Sequence, residues 1–229
     1  MKTHILGLTG FSGSGKDTVA DMLVTHLGFR KLAFADALRA EVSEGFQVDP
    51  IYLSRPETKH HAITALSMNR APQDFLAAVA MTIGKEGRDQ LGHLSPAWLT
   101  APRSPRQILQ WWGTEYRRKR DSRYWTRIVA ERLAIMHRNG AARFVLTDVR
   151  FENEADTVHA AGGLLWQITR PGCDGAQEGS HVSATDGSVF KPAAVLANTH
   201  DLRHLQQLVL SEFTALQSGI AGVKVSMPV

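Results

Sequence analysis

Residues 5–28 read as one strand, one glycine-rich turn and one helix, and no other stretch restricts the architecture as much. Ile5-Leu6-Gly7-Leu8 is an apolar run short enough for a buried strand. Gly10-Phe11-Ser12-Gly13-Ser14-Gly15-Lys16-Asp17-Thr18 follows, and from Thr18 to Leu27 the residues Val19, Met22, Leu23 and Leu27 recur at helical spacing before Gly28. Successive glycines let several backbone N–H groups converge on one anion, and the helix N-terminus adds its partial positive charge. Lys16 adds a mobile cation for the outer charges of such an anion.

The spacing G-x-x-x-x-G-K, between a strand and a helix, is that of a phosphate-binding P-loop. Asp17 stands where the strict motif has Ser or Thr, and the hydroxyl arrives one place later at Thr18. Gly13, Ser14, Gly15, Lys16, Asp17 and Thr18 are therefore the expected nucleotide contacts.

The 229 residues suit one α/β domain with an inserted subdomain, and 43% hydrophobic with 21% charged residues are the proportions of an ordinary globular protein. Cys173 is the single cysteine, which excludes an internal disulfide. Lys2 is followed by only a four-residue apolar run before the loop, and the apolar stretch 75–83 is far too short to span a bilayer, so a cytoplasmic location and no membrane contact are expected. Net charge of +4 and a pI near 9.4 favour an anionic partner, and nucleotides and nucleic acids both qualify.

After Gly28 a second strand is expected over Arg30-Lys31-Leu32-Ala33-Phe34, with Asp36 and Arg39 opening a helix at the end of the sheet where ligands gather; Asp36 reads equally as a helix cap. From 46 to 104 prolines break the pattern, leaving one clear helix at 73–83 and a mostly helical insertion whose Arg55, Lys59 and Arg70 read as solvated surface. Pro105 suits the first turn of a helix that Gly113 could end, before the cationic run 117–120. An amphipathic helix is expected over 124–138, closed by Asn139-Gly140. Arg143 to Leu146 is a strand turning polar at Asp148, where P-loop proteins keep the carboxylate that serves Mg²⁺. A helix over 151–161, a strand over 164–169, a flexible glycine-rich loop carrying His181, an apolar run at 193–197, a helix after Asp201 and a tail complete the chain.

The segments Leu8 to Thr18, Phe34-Ala35-Asp36, Gly113-Thr114-Glu115 with the arginine that follows, Trp125, and Asp148-Val149-Arg150-Phe151-Glu152-Asn153-Glu154 resemble the phage-type deoxynucleoside monophosphate kinases. The Gly-Lys-Asp-Thr ending of the loop is similar to that family's own variant. The resemblance implies a P-loop three-layer α/β sandwich with a mostly parallel sheet and helices on both faces. Residues 1–45 and 105–229 are then the kinase core, 46–104 a helical substrate-side insertion and 171–192 a lid-like loop. It implies transfer of the γ-phosphoryl of ATP, with Mg²⁺, to a deoxynucleoside monophosphate, small-molecule partners rather than a stable nucleic-acid complex, a homodimer, and host cytoplasm if phage-encoded.

In that resemblance Lys16 and the loop amides hold the ATP phosphates, and Thr18, Asp17 and Asp148 position Mg²⁺. Arg150 and Arg118, with Arg106, neutralise the acceptor and transferring phosphates, since guanidinium forks fit phosphate oxygens bidentately. Asp36, Gly113, Thr114, Trp125 and Glu154 complete the acceptor site together with Asp148 and Arg150. Trp125 reads equally as part of its helix's apolar stripe, and Glu154 as an acid favourable at a helix N-terminus. Three rival functions stand beside this one, the third being a P-loop fold that binds nucleotide without turnover. A kinase of another small molecule, such as dephospho-coenzyme A, has a broadly similar loop. A nucleotide-dependent nucleic-acid-binding protein would use the run 117–120 and bind with steep salt dependence.

Overall fold

The chain leads with β1 (His4–Thr9), α1 (Lys16–Leu27), β2 (Arg30–Leu32) and α2 (Phe34–Phe46). The computed structural model describes residues 3–173 and 190–218; most of the expected lid-like loop, with His181, and the expected tail lie outside them. The described residues group into two compact units, one drawn from 1–34 and 128–229 and the other from 35–127.

In the first unit β3 (Arg143–Leu146), α8 (Glu152–Ala160), β4 (Leu164–Thr169), β5 (Ala194–Ala197) and α9 (Leu202–Gln217) complete the alternation, with α7 (Tyr124–Arg138) entering it at Ile128; the helix numbers α3 to α6 belong to the second unit. Five parallel strands run in the order β2-β3-β1-β4-β5, so the strand that feeds the glycine loop is central. Alternation along β1 sorts its side chains between two faces. Leu6 and Leu8 enter a core with Val19, Leu23, Val209 and Phe213 from α1 and α9. A Cβ on Gly7 would meet Leu165, Val149 and Val158, the last on α8. The fold is the expected α/β arrangement, with a sheet that is parallel throughout the described residues.

β2 ends two residues before the expected Phe34. The Phe34 N–H donates to Asp148 Oδ1 at 2.8 Å, and α2 begins there. A strand that ended at Phe34 would need that donor for its ladder.

The second unit begins within α2 and adds α3 (Pro50–Ser54), α4 (Gln73–Ala80), α5 (Pro96–Thr100) and α6 (Pro105–Gln110). Three of these start alike: Asp49, Ser95 and Ser104 cap α3, α5 and α6 through their side chains, each followed by proline in the first turn. The helix expected to end at Gly113 instead runs on as a π-helix, Trp111–Arg118. Gly113 is buried there: a Cβ would stand 3.3 Å from Leu38, and its carbonyl accepts from Trp125 Nε1 at 3.2 Å. The glycine serves close packing rather than helix termination. Phe46, Phe75, Trp112 and Tyr116 form the aromatic centre of the unit. Among the described residues, no helix is long and apolar enough to cross a membrane.

Candidate active site

β1 ends between β3 and β4, and the chain turns at Gly10 with φ +134°. A Cβ at this position would lie 2.2 Å from the Ile168 carbonyl oxygen, so the backbone of β4 admits only glycine. Gly15 caps α1 at φ 106° with no side-chain cap, which leaves the first amides of the helix unclaimed by a capping group. Ser14 is 1% exposed, and its Oγ has no hydrogen-bond partner among the described residues. A buried hydroxyl left so costs about 1–3 kcal/mol, which a phosphate oxygen would offset.

Lys16 Nζ donates to the carbonyls of Gly10 and Phe11, both at 2.6 Å. Burial, and next the Arg150 guanidinium, lower its pKa from 10.5 to about 8, against the opposing pull of Asp17, Asp148 and Cys173. The lysine is thus poised to gain charge when an anion enters. Asp148 follows β3, whose register sets Leu146 against Gly7, and the Val149 N–H donates to Leu8 O at 3.1 Å. The carboxylate therefore stands at the end of the central strand, half-buried, beside the loop.

Arg150 is exposed, and its N–H donates to Glu154 Oε2 at 2.8 Å. Glu154, 2% exposed, also takes the Phe151 N–H at 3.2 Å. This carboxylate secures the start of α8 and the backbone of Arg150, as the helix-terminal reading of it expects. Asp17 reaches outward: its side chain is 81% exposed and pairs with Lys31 at 3.3 Å. Thr18 lies in the first turn of α1, half-buried.

Asn198, just past β5, donates Nδ2 to the Ser14 carbonyl at 2.9 Å and would crowd a Cβ on Gly15 at 2.7 Å. Sequence reasoning missed it. The available signal was its place after the last apolar run, at the carboxyl edge of a parallel sheet.

In the second unit Asp36 Oδ1 pairs with Arg39 Nη1 at 3.0 Å in the wall of an open cleft of about 520 Å³ between α2 and α3. Asp36 sits in the first turn of α2 rather than at its cap. Trp125 is 2% exposed and bonded to Gly113, so it belongs to the core and offers no open face for a base; its apolar-stripe reading is the one the packing supports. Thr114, Arg106 and Arg118 are half-buried. The cationic run is largely engaged: Arg117 Nε pairs with Glu41 at 2.8 Å, Lys119 with Glu115 at 2.5 Å, and the Arg120 guanidinium lies 4.8 Å from the Tyr116 ring centre. Glu41 had no signal in the sequence, because its partners come from Trp112, Arg117 and Tyr124.

The metal that the resemblance implies can be tested against these residues. Among those described, no group of three or more His, Cys, Asp or Glu is arranged to hold a metal ion. Mg²⁺ is usually held by one or two carboxylates plus substrate phosphates and water, not by a protein cage. A half-buried Asp148 close enough to Lys16 to act on its charge fits that mode, while Asp17 is exposed and faces Lys31.

No family model matches the chain. A curated relative from Acanthamoeba polyphaga mimivirus, "Putative deoxynucleotide monophosphate kinase", is 27% identical over 208 residues, covering 90% of this chain and 94% of that protein. Among solved structures, a dephospho-CoA kinase from Campylobacter jejuni is similar at 14% identity and TM-score 0.49, over 96% of this chain and 99% of that one. A sugar kinase from Janibacter sp. HTCC2649 is similar at 16% identity and TM-score 0.41, over 97% of this chain and all of that one.

Proposed function

We propose that this P-loop phosphotransferase moves the γ-phosphoryl of Mg-ATP onto a deoxynucleoside monophosphate, giving a deoxynucleoside diphosphate and ADP. The observation that carries the reading is the gathering of the loop amides, Lys16, Asp148 and Arg150 at the ends of two adjacent parallel strands. The name of the mimivirus relative supports the acceptor class.

Phosphoryl transfer asks a protein for alignment and charge neutralisation more than for covalent work. An oxygen of the acceptor monophosphate attacks the γ-phosphorus, the bond to the β–γ bridging oxygen breaks, and ADP leaves with the electron pair. The acceptor is already an ionised phosphate, so no strong general base is required. The amides of the glycine loop and the Ser14 hydroxyl receive the donor phosphates. Lys16 exchanges the carbonyls of Gly10 and Phe11 for phosphate oxygens, whose negative charge holds it protonated. Asp148 and Thr18 are the residues that would hold Mg²⁺, which when bound neutralises charge on the β- and γ-oxygens. Arg150, with its backbone held by Glu154, presents a guanidinium to the transferring group. Arg118, Arg106, Thr114 and Asp36 are the residues this reading assigns to the acceptor. A cytoplasmic place and a homodimer belong to the same reading.

Arg117 and Lys119 each face a carboxylate, which lowers the net positive charge that the run offers to a nucleic acid and supports a small-molecule acceptor. The test is ADP release measured over deoxynucleoside monophosphates, ribonucleoside monophosphates and dephospho-coenzyme A, with a chelator arm. Turnover of at least one deoxynucleoside monophosphate, lost with EDTA and restored by Mg²⁺, is expected. Turnover confined to dephospho-coenzyme A would overturn the proposal.

A further inference from the structure

Glu41 stands on α2, outside every motif of the sequence, and collects three donors. Its Oε2 accepts from Trp112 Nε1 and from Arg117 Nε, both at 2.8 Å, and its Oε1 accepts from the Tyr124 hydroxyl at 2.5 Å. Trp112 and Arg117 lie near the two ends of the π-helix, with Gly113-Thr114-Glu115 between them. The Arg117 guanidinium is also stacked on two rings, 4.4 Å from the centre of Tyr116 and 4.6 Å from that of Tyr124. Burial, and with it the Glu41 carboxylate, push the Tyr124 pKa up to about 12, so that hydroxyl stays a donor even at a pH where an ordinary tyrosine ionises.

Sequence separation gives this grip its meaning. In an α-helix of about 3.6 residues per turn, residues five apart point about 140° away from each other around the axis. A π-helix closes i→i+5 hydrogen bonds, so residues five apart come close to one line along its surface. The Lys119 N–H donates to the Thr114 carbonyl at 3.0 Å in that i→i+5 pattern. One carboxylate oxygen that binds residue 112 and residue 117 together therefore favours the π register over the α register.

We propose that Glu41 is a positioning residue: it holds Trp111–Arg118 in the π register and so sets the direction in which Thr114 and Arg118 meet the acceptor. The acceptor half of this statement rests on the functional reading above. Without the carboxylate, the segment relaxes toward an α-helix, and removing the extra residue of the π turn swings Arg118 round the axis by about 100°.

Steady-state kinetics of the full chain at a temperature well below its unfolding midpoint, on wild type, Glu41→Gln and Glu41→Ala, test it. KM for the deoxynucleoside monophosphate is expected to rise at least tenfold in Glu41→Gln and further in Glu41→Ala, with KM for ATP within twofold of wild type. A purely structural role predicts something else, because a partly unfolded population lowers kcat and leaves both KM values unchanged. That pattern, or Glu41→Gln matching wild type in every parameter, overturns the proposal. A crystal structure of Glu41→Gln reads the register directly: the Lys119 N–H, which donates to the Thr114 carbonyl in the wild type, is expected to move to the Glu115 carbonyl, and a retained Lys119–Thr114 bond overturns the register claim. A wild type inactive on every acceptor overturns the functional reading and the acceptor half with it, while the partner of the Lys119 N–H in the variant still decides the register claim.

Discussion

Lys16 Nζ lies 2.6 Å from the Phe11 carbonyl oxygen, so the cation of the glycine loop is held by the loop itself. Replacing it with methionine keeps the length and removes the charge. Transfer by Lys16→Met is expected to fall by at least two orders of magnitude, the range seen when one preorganised charge contact is lost, with the far-ultraviolet circular dichroism unchanged. An active variant would mean that the glycine loop is only a turn.

The same lysine makes stability depend on pH in a defined window. Its folded pKa of about 8 lies below the value of 10.5 for a free side chain. Between those values the unfolded chain binds more protons than the folded one, so the contribution of Lys16 to stability rises as pH climbs from 8 to 10.5. Below 8 the full penalty applies, on the order of 3 kcal/mol. Urea unfolding of wild type and Lys16→Met at pH 7 and pH 10 should show a difference between the two proteins that shrinks at the higher pH. A difference independent of pH would contradict the depressed pKa.

Nucleotide binding should be coupled to proton uptake. Near pH 8 Lys16 is about half protonated, and triphosphate charge beside it drives it to full protonation. Calorimetric titration of ATP in two buffers of different ionisation enthalpy is expected to show roughly half a proton taken up at pH 8, and close to none at pH 6.5. Equal uptake at both pH values would remove Lys16 as its source.

Asn198 ties the loop to the end of β5 through the Ser14 carbonyl. Removing one such bond costs about 0.5–1.5 kcal/mol. Asn198→Ala is therefore expected to weaken ATP binding about two- to tenfold, while KM for the acceptor stays unchanged. A larger change for the acceptor than for ATP would place the residue in a different role.

Gly10→Ala should be among the most damaging small substitutions in the chain. It forces a methyl group to within 2.2 Å of the Ile168 carbonyl at a φ that side chains rarely adopt. A loss of about 3 kcal/mol or more is expected from strain and displaced backbone, measured as a drop in the chemical-denaturation midpoint. A midpoint within the error of wild type would show that β4 yields.

The strand, glycine loop and helix at residues 4–27 could be read from sequence because their signals are local: an apolar run, a fixed glycine spacing and a helical repeat. Asp148 was readable for the same reason, as the polar end of an apolar strand. The π-helix was not, since an apolar and cationic pattern around Gly113 is equally consistent with a helix that stops, and the residues packed and bonded against it, Leu38, Glu41 and Trp125, come from elsewhere in the chain. Asn198 and Glu41 escaped because each acts through partners that only the fold brings near. Trp125 shows the converse, a residue whose type suggested a ligand and whose packing makes it core.

The sheet order also governs how the chain can fold. β1 sits between β3 and β4, so His4 waits for Arg143 and Leu6 for Leu164 before either edge of the central strand is paired. At about 5–20 residues synthesised per second, the strand leading into the phosphate loop stays unpaired for roughly 7–28 s. The second unit is continuous from 35 to 127 and can close its own contacts in that interval. β1, with its apolar Ile5, Leu6 and Leu8, lacks both neighbours through that interval, and a holdase chaperone acting on the nascent chain would have a long task there.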